Sequence, residues 1–302
     1  MIKSRDFKGE LSLTMSAFLW SFAPVFLILT FSKIQPLYTA ALSTLAAAIF
    51  FALMVTICRQ WHEIRITNAW KDILLTTLMN GVLFYMLLFI GTSKTTAGNA
   101  GIVMQMEVFF SMFILGLWKK EKMVFKHKIG AVLMIIGASI ILFPGHLNIN
   151  QGDLIILIAT AFPPIGNYFT QKARKKVGPN MIMFIRSVIA GLFILLFASI
   201  FETAPSYFAL SNSVFLIFIN GIFLFGLPKI FWIEAIHRIP ITKAISLSSV
   251  SPAFTLIFAY FILGEIPTAW QLLGLIPIIA GILFLTEYRL MNKLKQKNIL
   301  DP

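Results

Sequence analysis

Apolar residues run along this chain in long blocks, without the strict alternation of a half-buried strand or the three-and-four spacing of a surface helix. Ten blocks can be drawn, at residues 10–31, 36–58, 72–91, 98–118, 127–143, 151–171, 179–200, 213–236, 240–263 and 269–288. Most approach the ~20 residues that a helix needs to cross a bilayer core. The pattern therefore predicts ten transmembrane helices joined by short polar connections, the fifth being the shortest. No small-residue cleavage site follows the first block, which reads as a retained helix.

Composition agrees with the pattern and excludes a soluble globular enzyme. The 302 residues are 58% hydrophobic and 12% charged, with a mean hydropathy of +0.87, against about 45–50% and about 25% in an ordinary soluble domain. The net charge of +13 is explained by where the basic residues fall. All except Lys33, Lys94, Arg186 and Lys229 lie at the termini, in the connections after the second, fourth, sixth and eighth blocks, or in the first four residues of the block that follows. By the positive-inside rule that side is cytoplasmic, with both termini on it. The basic excess is topological, and nucleic acid is not an expected partner. A single cysteine, Cys58, allows no internal disulfide, and His62, His127, His146 and His237 show no zinc-like spacing, so no metal and no cofactor is expected. No Gly-rich phosphate loop and no nucleophile–base constellation occurs, which argues against ATP-driven transport and against an enzyme.

Self-comparison divides the chain into residues 1–146 and 147–302. At an offset of 144, Glu121, Gly130 and Gly137 meet Glu265, Gly274 and Gly281. At 143, Gly9-Glu10-Leu11 meets Gly152-Asp153-Leu154, and Pro36 meets Pro179; Asn80-Gly81 corresponds to Asn220-Gly221. Five blocks per half make the second half cross the membrane in the opposite sense. Such inverted repeats are characteristic of secondary transporters with a site at the repeat interface near the midplane.

At these residues the chain resembles the EamA-like family of the drug/metabolite transporter superfamily. The matching features are Gly152-Asp153, Pro179 with Arg186, the Pro252 element, and Gly264-Glu265 followed by Gly274 and Gly281; Trp20 and Pro36 are weaker equivalents. The resemblance implies an all-α membrane protein of ten helices in two inverted five-helix repeats, in a bacterial cytoplasmic membrane, with a cavity lined by the first, third, fourth, sixth, eighth and ninth spans. Two positions depart from the pattern: Ser43 stands where the repeat would place Arg, and Val108 where it would place Pro.

An ionised side chain at a helix centre costs about 2.5–3.5 kcal/mol on insertion scales, so each charge inside a block needs a reason. Glu107 lies about 13 Å into the fourth block at 1.5 Å per residue, near the midplane. Helical spacing puts it on one face with Ala100, Met104 and Ser111, and the repeat maps that face onto Ala244, Ser248, Ser251 and Thr255. The two polar faces are expected to look into one cavity. Two readings of Glu107 stand: it binds a substrate cation or a coupling proton, or it is structural, paired with Lys229 or protonated. Lys229 follows Gly226 and Pro228, an interruption that predicts a kink; it attracts a substrate carboxylate, holds Glu107, or snorkels to the interface. Trp20 shares a face with Ala17 and Pro24, whose repeat mates are Thr160, Pro163 and Asn167, and it either presents its π face to a cation or packs. Trp232 likewise lies inside a block. The candidate substrate-binding set is Glu107, Lys229, Trp20, Asn167, Ser248, Ser251, Trp232 and Met104. Structural or gating roles are assigned to Arg186, Pro228, Pro252, Asn80, Asn220 and Glu234.

Charges of both signs suit an amine-bearing or zwitterionic metabolite, such as an amino acid or S-adenosylmethionine, carried by alternating access. A nucleobase, nucleoside or organic-anion carrier, or a passive channel, is the alternative. The expected partners are a small-molecule substrate, the lipid bilayer, and a coupling proton or counter-substrate, with the chain a monomer or weak dimer.

Overall fold

The computed structural model describes residues 2–118, 125–143, 150–238, 248 and 250–300, and every regular element among them is helical. Seven helical runs are long and apolar enough to cross a membrane: Gly9–Phe31, Pro36–Ile57, Thr67–Thr92, Ala97–Ile114, Gln151–Ala173, Pro179–Phe201 and Tyr207–Trp232. Lys128–Leu142, Ser251–Leu263 and Ala269–Phe284 are shorter apolar helices. These runs coincide with the hydrophobic blocks, except that much of the ninth block falls outside the described residues. The eighth run begins before its block, at Tyr207, because the Ser206 hydroxyl accepts the Ala209 N–H at 3.2 Å and caps an earlier turn. The ninth ends at Gly264, whose φ of 71° is the left-handed conformation that closes helices at low cost only for glycine.

Most runs are built from two pieces. In chain order the α-helices are α1 (Ile2–Ser21), α2 (Ala23–Phe31), α3 (Pro36–Ile57), α4 (Trp70–Thr76), α5 (Phe84–Thr92), α6 (Ala97–Val103), α7 (Met106–Trp118), α8 (Phe125–Leu142), α9 (Gln151–Ala159), α10 (Phe162–Ala173), α11 (Pro179–Phe201), α12 (Tyr207–Phe218), α13 (Leu227–Arg238), α14 (Ser251–Phe258) and α15 (Ala269–Leu300). Wide π turns at Thr77–Leu83 join α4 to α5, and at Ile219–Gly226 join α12 to α13. The interruption expected at Gly226 and Pro228 therefore takes the form of a π segment inside a continuous run.

Contacts between the halves recur in the register of the repeat. A methyl group added at Gly137 would lie 2.6 Å from the Gly274 carbonyl oxygen, and one at Gly281 would lie 2.6 Å from that of Gly130. Shifting the first contact by 144 residues produces the second. Helices α8 and α15 therefore touch backbone to backbone, the close approach that small residues permit where lipid supplies no hydrophobic drive. Helices α3 and α11 pack antiparallel, with Gly191 of α11 making room for Leu45 of α3, and each carries a cap for the other. Glu202, just beyond α11, accepts the Leu37 and Tyr38 N–H groups at 2.8 and 2.9 Å; Glu63, just beyond α3, accepts the Gly178 N–H at 2.6 Å. The outer face of α11 carries Leu192, Leu196 and Ile200, which are 55%, 58% and 65% exposed and form a lipid-facing stripe.

A polar clamp ties one end of the bundle together. Asn99 donates to Asp153 at 2.7 Å, Gln271 donates to Asn99 at 2.8 Å, and Glu265 accepts the Ala97 N–H at 3.2 Å. This joins the starts of α6, α9 and α15, leaving the bundle centre to the aromatic cluster and the charges described next.

Candidate functional site

The fourth run breaks at Met104 and Gln105 and restarts as α7, placing Glu107 in the first helical turn. The positive end of the α7 dipole favours a carboxylate there. The break is a tighter turn, in which the Glu107 N–H donates to the Met104 carbonyl at 3.1 Å. Val108, at the position where the repeat expects Pro, does not prevent the break; the other half restarts at Ser251 with Pro252 in its first turn.

Glu107 is half-buried and accepts a hydrogen bond from Asn167 Nδ2 of α10 at 3.3 Å. The other end of that amide is also held, because Asn80 Nδ2, in the first π segment, donates to Asn167 Oδ1 at 3.0 Å. Lys229 of α13 stands within electrostatic range of Glu107, and the two are not closed into an ion pair. Its ammonium lies over the Trp20 ring, 4.6 Å from the centroid, a cation–π contact. Trp20 packs edge-on to Phe225 at 6.0 Å, and Phe225 lies 5.0 Å from the Tyr85 ring. Tyr85 completes the cluster, its hydroxyl accepting from Arg186 Nη2 at 2.8 Å while the guanidinium also faces its ring. Arg186 is itself within electrostatic range of Lys229.

Other sequence candidates lie elsewhere. Ser251 is buried and donates to the Ala17 carbonyl at 3.3 Å, and Thr255 donates to the Ser21 carbonyl at 2.9 Å. That face of α14 thus bonds to α1. The Pro228 carbonyl accepts from Ser16 at 2.8 Å. Asn220, buried in the second π segment, donates to Thr30 at 2.9 Å. Trp232 packs on Leu13 and Ala235, Met104 borders the main core, Ser248 is half-buried, and Pro252 is buried. The side chain of Glu234 lies outside the described residues. Sequence reasoning missed Tyr85 and the Asn80–Asn167 link: a tyrosine among thirty phenylalanines carries no signal, and an amide pair becomes visible only once the third and sixth blocks are set side by side.

The profile of the EamA-like transporter family matches this sequence twice, over residues 7–143 and 150–287. The chain is 26% identical over 282 residues to the uncharacterized transporter YoaV of Bacillus subtilis (strain 168), an alignment covering 91% of this chain and 94% of that one. It is 26% identical over 261 residues to the uncharacterized transporter YvbV of the same organism, covering 82% and 81%. A solved crystal structure shares the fold with a TM-score of 0.65 at 15% identity, covering 93% of this chain and 98% of that chain.

Proposed function

We propose that this chain, which belongs to the EamA-like transporter family, is a secondary carrier that moves a small amine-bearing or zwitterionic metabolite by alternating access. It is a multi-pass membrane protein of a transporter family; the substrate, the mechanism and the orientation are our reading. One observation carries it. Glu107 and Lys229, of opposite charge and from different halves of the chain, share one interior region without closing into an ion pair, and each rests on a neutral partner.

Two opposite charges in a medium of low dielectric attract strongly, and charge so placed within a membrane marks a substrate path by default. A ligand bearing both an ammonium and a carboxylate meets both: the ammonium at Glu107, the carboxylate at Lys229, with the Trp20 ring beside them. The breaks before Glu107 and before Ser251 support a site near the midplane, where carriers of this kind interrupt their helices. Contacts repeated in the 144-residue register support the inverted pair of five-span halves, and the basic excess on one set of connections supports cytoplasmic termini.

An organic-anion carrier is the second reading, favoured by Arg186 as a second cation near Lys229. Thermal stabilisation of the purified protein by amino acids, polyamines, S-adenosylmethionine, nucleosides and carboxylates separates the two, since a ligand that binds only the folded state raises its stability. Stabilisation by an amine-bearing compound, lost in Glu107→Gln, supports the reading. Stabilisation by carboxylates alone, unchanged in Glu107→Gln, overturns it. Saturable counterflow in proteoliposomes distinguishes a carrier from a channel.

A further inference from the structure

Asn80 touches neither Glu107 nor Lys229, and a bond between the third and sixth runs would explain its presence. Its geometry does more. An asparagine amide has a donor end and an acceptor end, so whatever engages one end decides what the other can offer. Asn80 Nδ2 donates to Asn167 Oδ1 at 3.0 Å, which turns Asn167 Nδ2 toward Glu107 at 3.3 Å. Asn80 is itself fixed in place. It sits in the π segment, only 6% exposed, and packs on Gly166, where an added Cβ would collide with its amide. Its Oδ1 has no hydrogen-bond partner among the described residues, so the amide is held by its donor end.

We infer that Asn80, through Asn167, is the positioning residue that aims an N–H donor at Glu107 and so favours its carboxylate form, the form able to receive the substrate's ammonium. The three side chains form one directed chain with a single place for negative charge. Lys229 is the cation that faces this end, with Arg186 behind it, and Glu107's place in the first turn of α7 acts in the same sense. The repeat mate of Asn80 does not do this: Asn220 donates to Thr30, and its own Oδ1 is likewise unpartnered. The inference rests on Glu107 being the amine site, but its test needs no ligand.

Asn80→Asp places carboxyl groups at both ends of the Asn167 amide, which has one donor end and can serve only one of them. One proton must then stay on the trio, whichever carboxyl carries it. Adding Glu107→Gln restores a satisfied chain running the other way: Asn167 donates to the new carboxylate and accepts from the new glutamine. Infrared difference spectra of the purified protein at neutral pH read this directly as the C=O band of a protonated carboxyl. We expect no such band from Glu107 in the unmodified protein, one band in Asn80→Asp, and none in Asn80→Asp/Glu107→Gln. A band in the unmodified protein that disappears in Glu107→Gln, no band in the single variant, or a band that persists in the double variant overturns the inference. If the single variant does not purify, recovery of folded protein in the double variant supports the coupling, and failure of both overturns it. Bands that behave as expected while no amine stabilises the protein leave the relay standing and remove the amine reading, so the two failures are distinguishable.

Discussion

Three charged groups near the bundle centre, Glu107, Arg186 and Lys229, each have a neutral counterpart in the other half. Glu107 corresponds to Ser251, Arg186 to Ser43, and, in the register that sets Asn80 on Asn220, Lys229 corresponds to Phe89 and Tyr85 to Phe225. The substitutions are coherent: where Arg186 binds the Tyr85 hydroxyl, the repeat-related pair is a serine and a phenylalanine, with nothing charged to satisfy. The packing positions, in contrast, are duplicated, down to the Gly130, Gly137, Gly274 and Gly281 contacts. What the halves share builds the bundle, and what they do not share supplies its chemistry. Substitutions at unlike positions should therefore change binding on one side only, and substitutions at like positions should change stability on both.

The largest effect expected is at the unlike pair Glu107 and Ser251. Glu107→Gln removes a half-buried charge at the centre of the proposed site, and losing a charged contact to the ligand costs about 3 kcal/mol, or about a hundredfold in affinity. Ser251→Ala loses one neutral bond of 3.3 Å to the Ala17 carbonyl, about 0.5–1 kcal/mol. Titrating an amine-bearing ligand against both variants checks this, and equal losses would show that the two halves contribute alike.

At the like positions, Gly137→Ala and Gly281→Ala each press a methyl group to 2.6 Å from a backbone carbonyl across the α8–α15 seam. Overpacking of this kind costs about 1–3 kcal/mol. The two melting temperatures should fall together, and a fall in only one would show that the duplicated contacts are not equivalent.

This division also explains what could be read from the sequence. The helical runs, their order and the repeat were legible because they rest on block hydropathy and on small residues recurring at a fixed offset. Glu107, Lys229 and Arg186 stood out because charge inside an apolar block is costly. The break at Met104 and Gln105 was hidden, since neither residue is a helix breaker and Val108 had replaced the proline; only the register with Pro252 pointed to it. Tyr85 and the orientation of the Asn167 amide depend on which runs lie side by side, and block hydropathy says nothing of that.

Tyr85→Phe tests the coherence of the Arg186 pair. It makes the position like Phe225, but leaves the guanidinium, only 6% exposed, without its hydroxyl acceptor. Because the ring remains beneath the cation, we expect a cost near the low end for a bond to a charged group, about 1.5 kcal/mol. The reverse change, Phe225→Tyr, adds a hydroxyl whose repeat-related partner position is the neutral Ser43, and should not compensate. A full rescue of Tyr85→Phe by Phe225→Tyr, measured by thermal melting, would show that the two positions are interchangeable after all.

The smallest effect is expected at the reciprocal caps of α3 and α11, which play the same part in the two halves from positions that do not match. Glu202 uses both carboxylate oxygens, one on Leu37 and one on Tyr38, whereas Glu63 uses one oxygen on Gly178. A glutamine keeps one acceptor oxygen and turns an NH2 toward the second position. At 63 that single bond survives and Glu63→Gln should cost no more than a few tenths of a kcal/mol, as cap-preserving changes do. At 202 the NH2 meets a helix N–H head-on, so one donor loses its partner and Glu202→Gln should cost about 1 kcal/mol. Glu202→Asp keeps both oxygens but draws them back by one methylene, so it should fall between the two. Melting curves of the three variants in the same bilayer mimic give the order directly. If Glu63→Gln proves the costlier, the two caps are not distinguished by how many N–H groups each carboxylate holds.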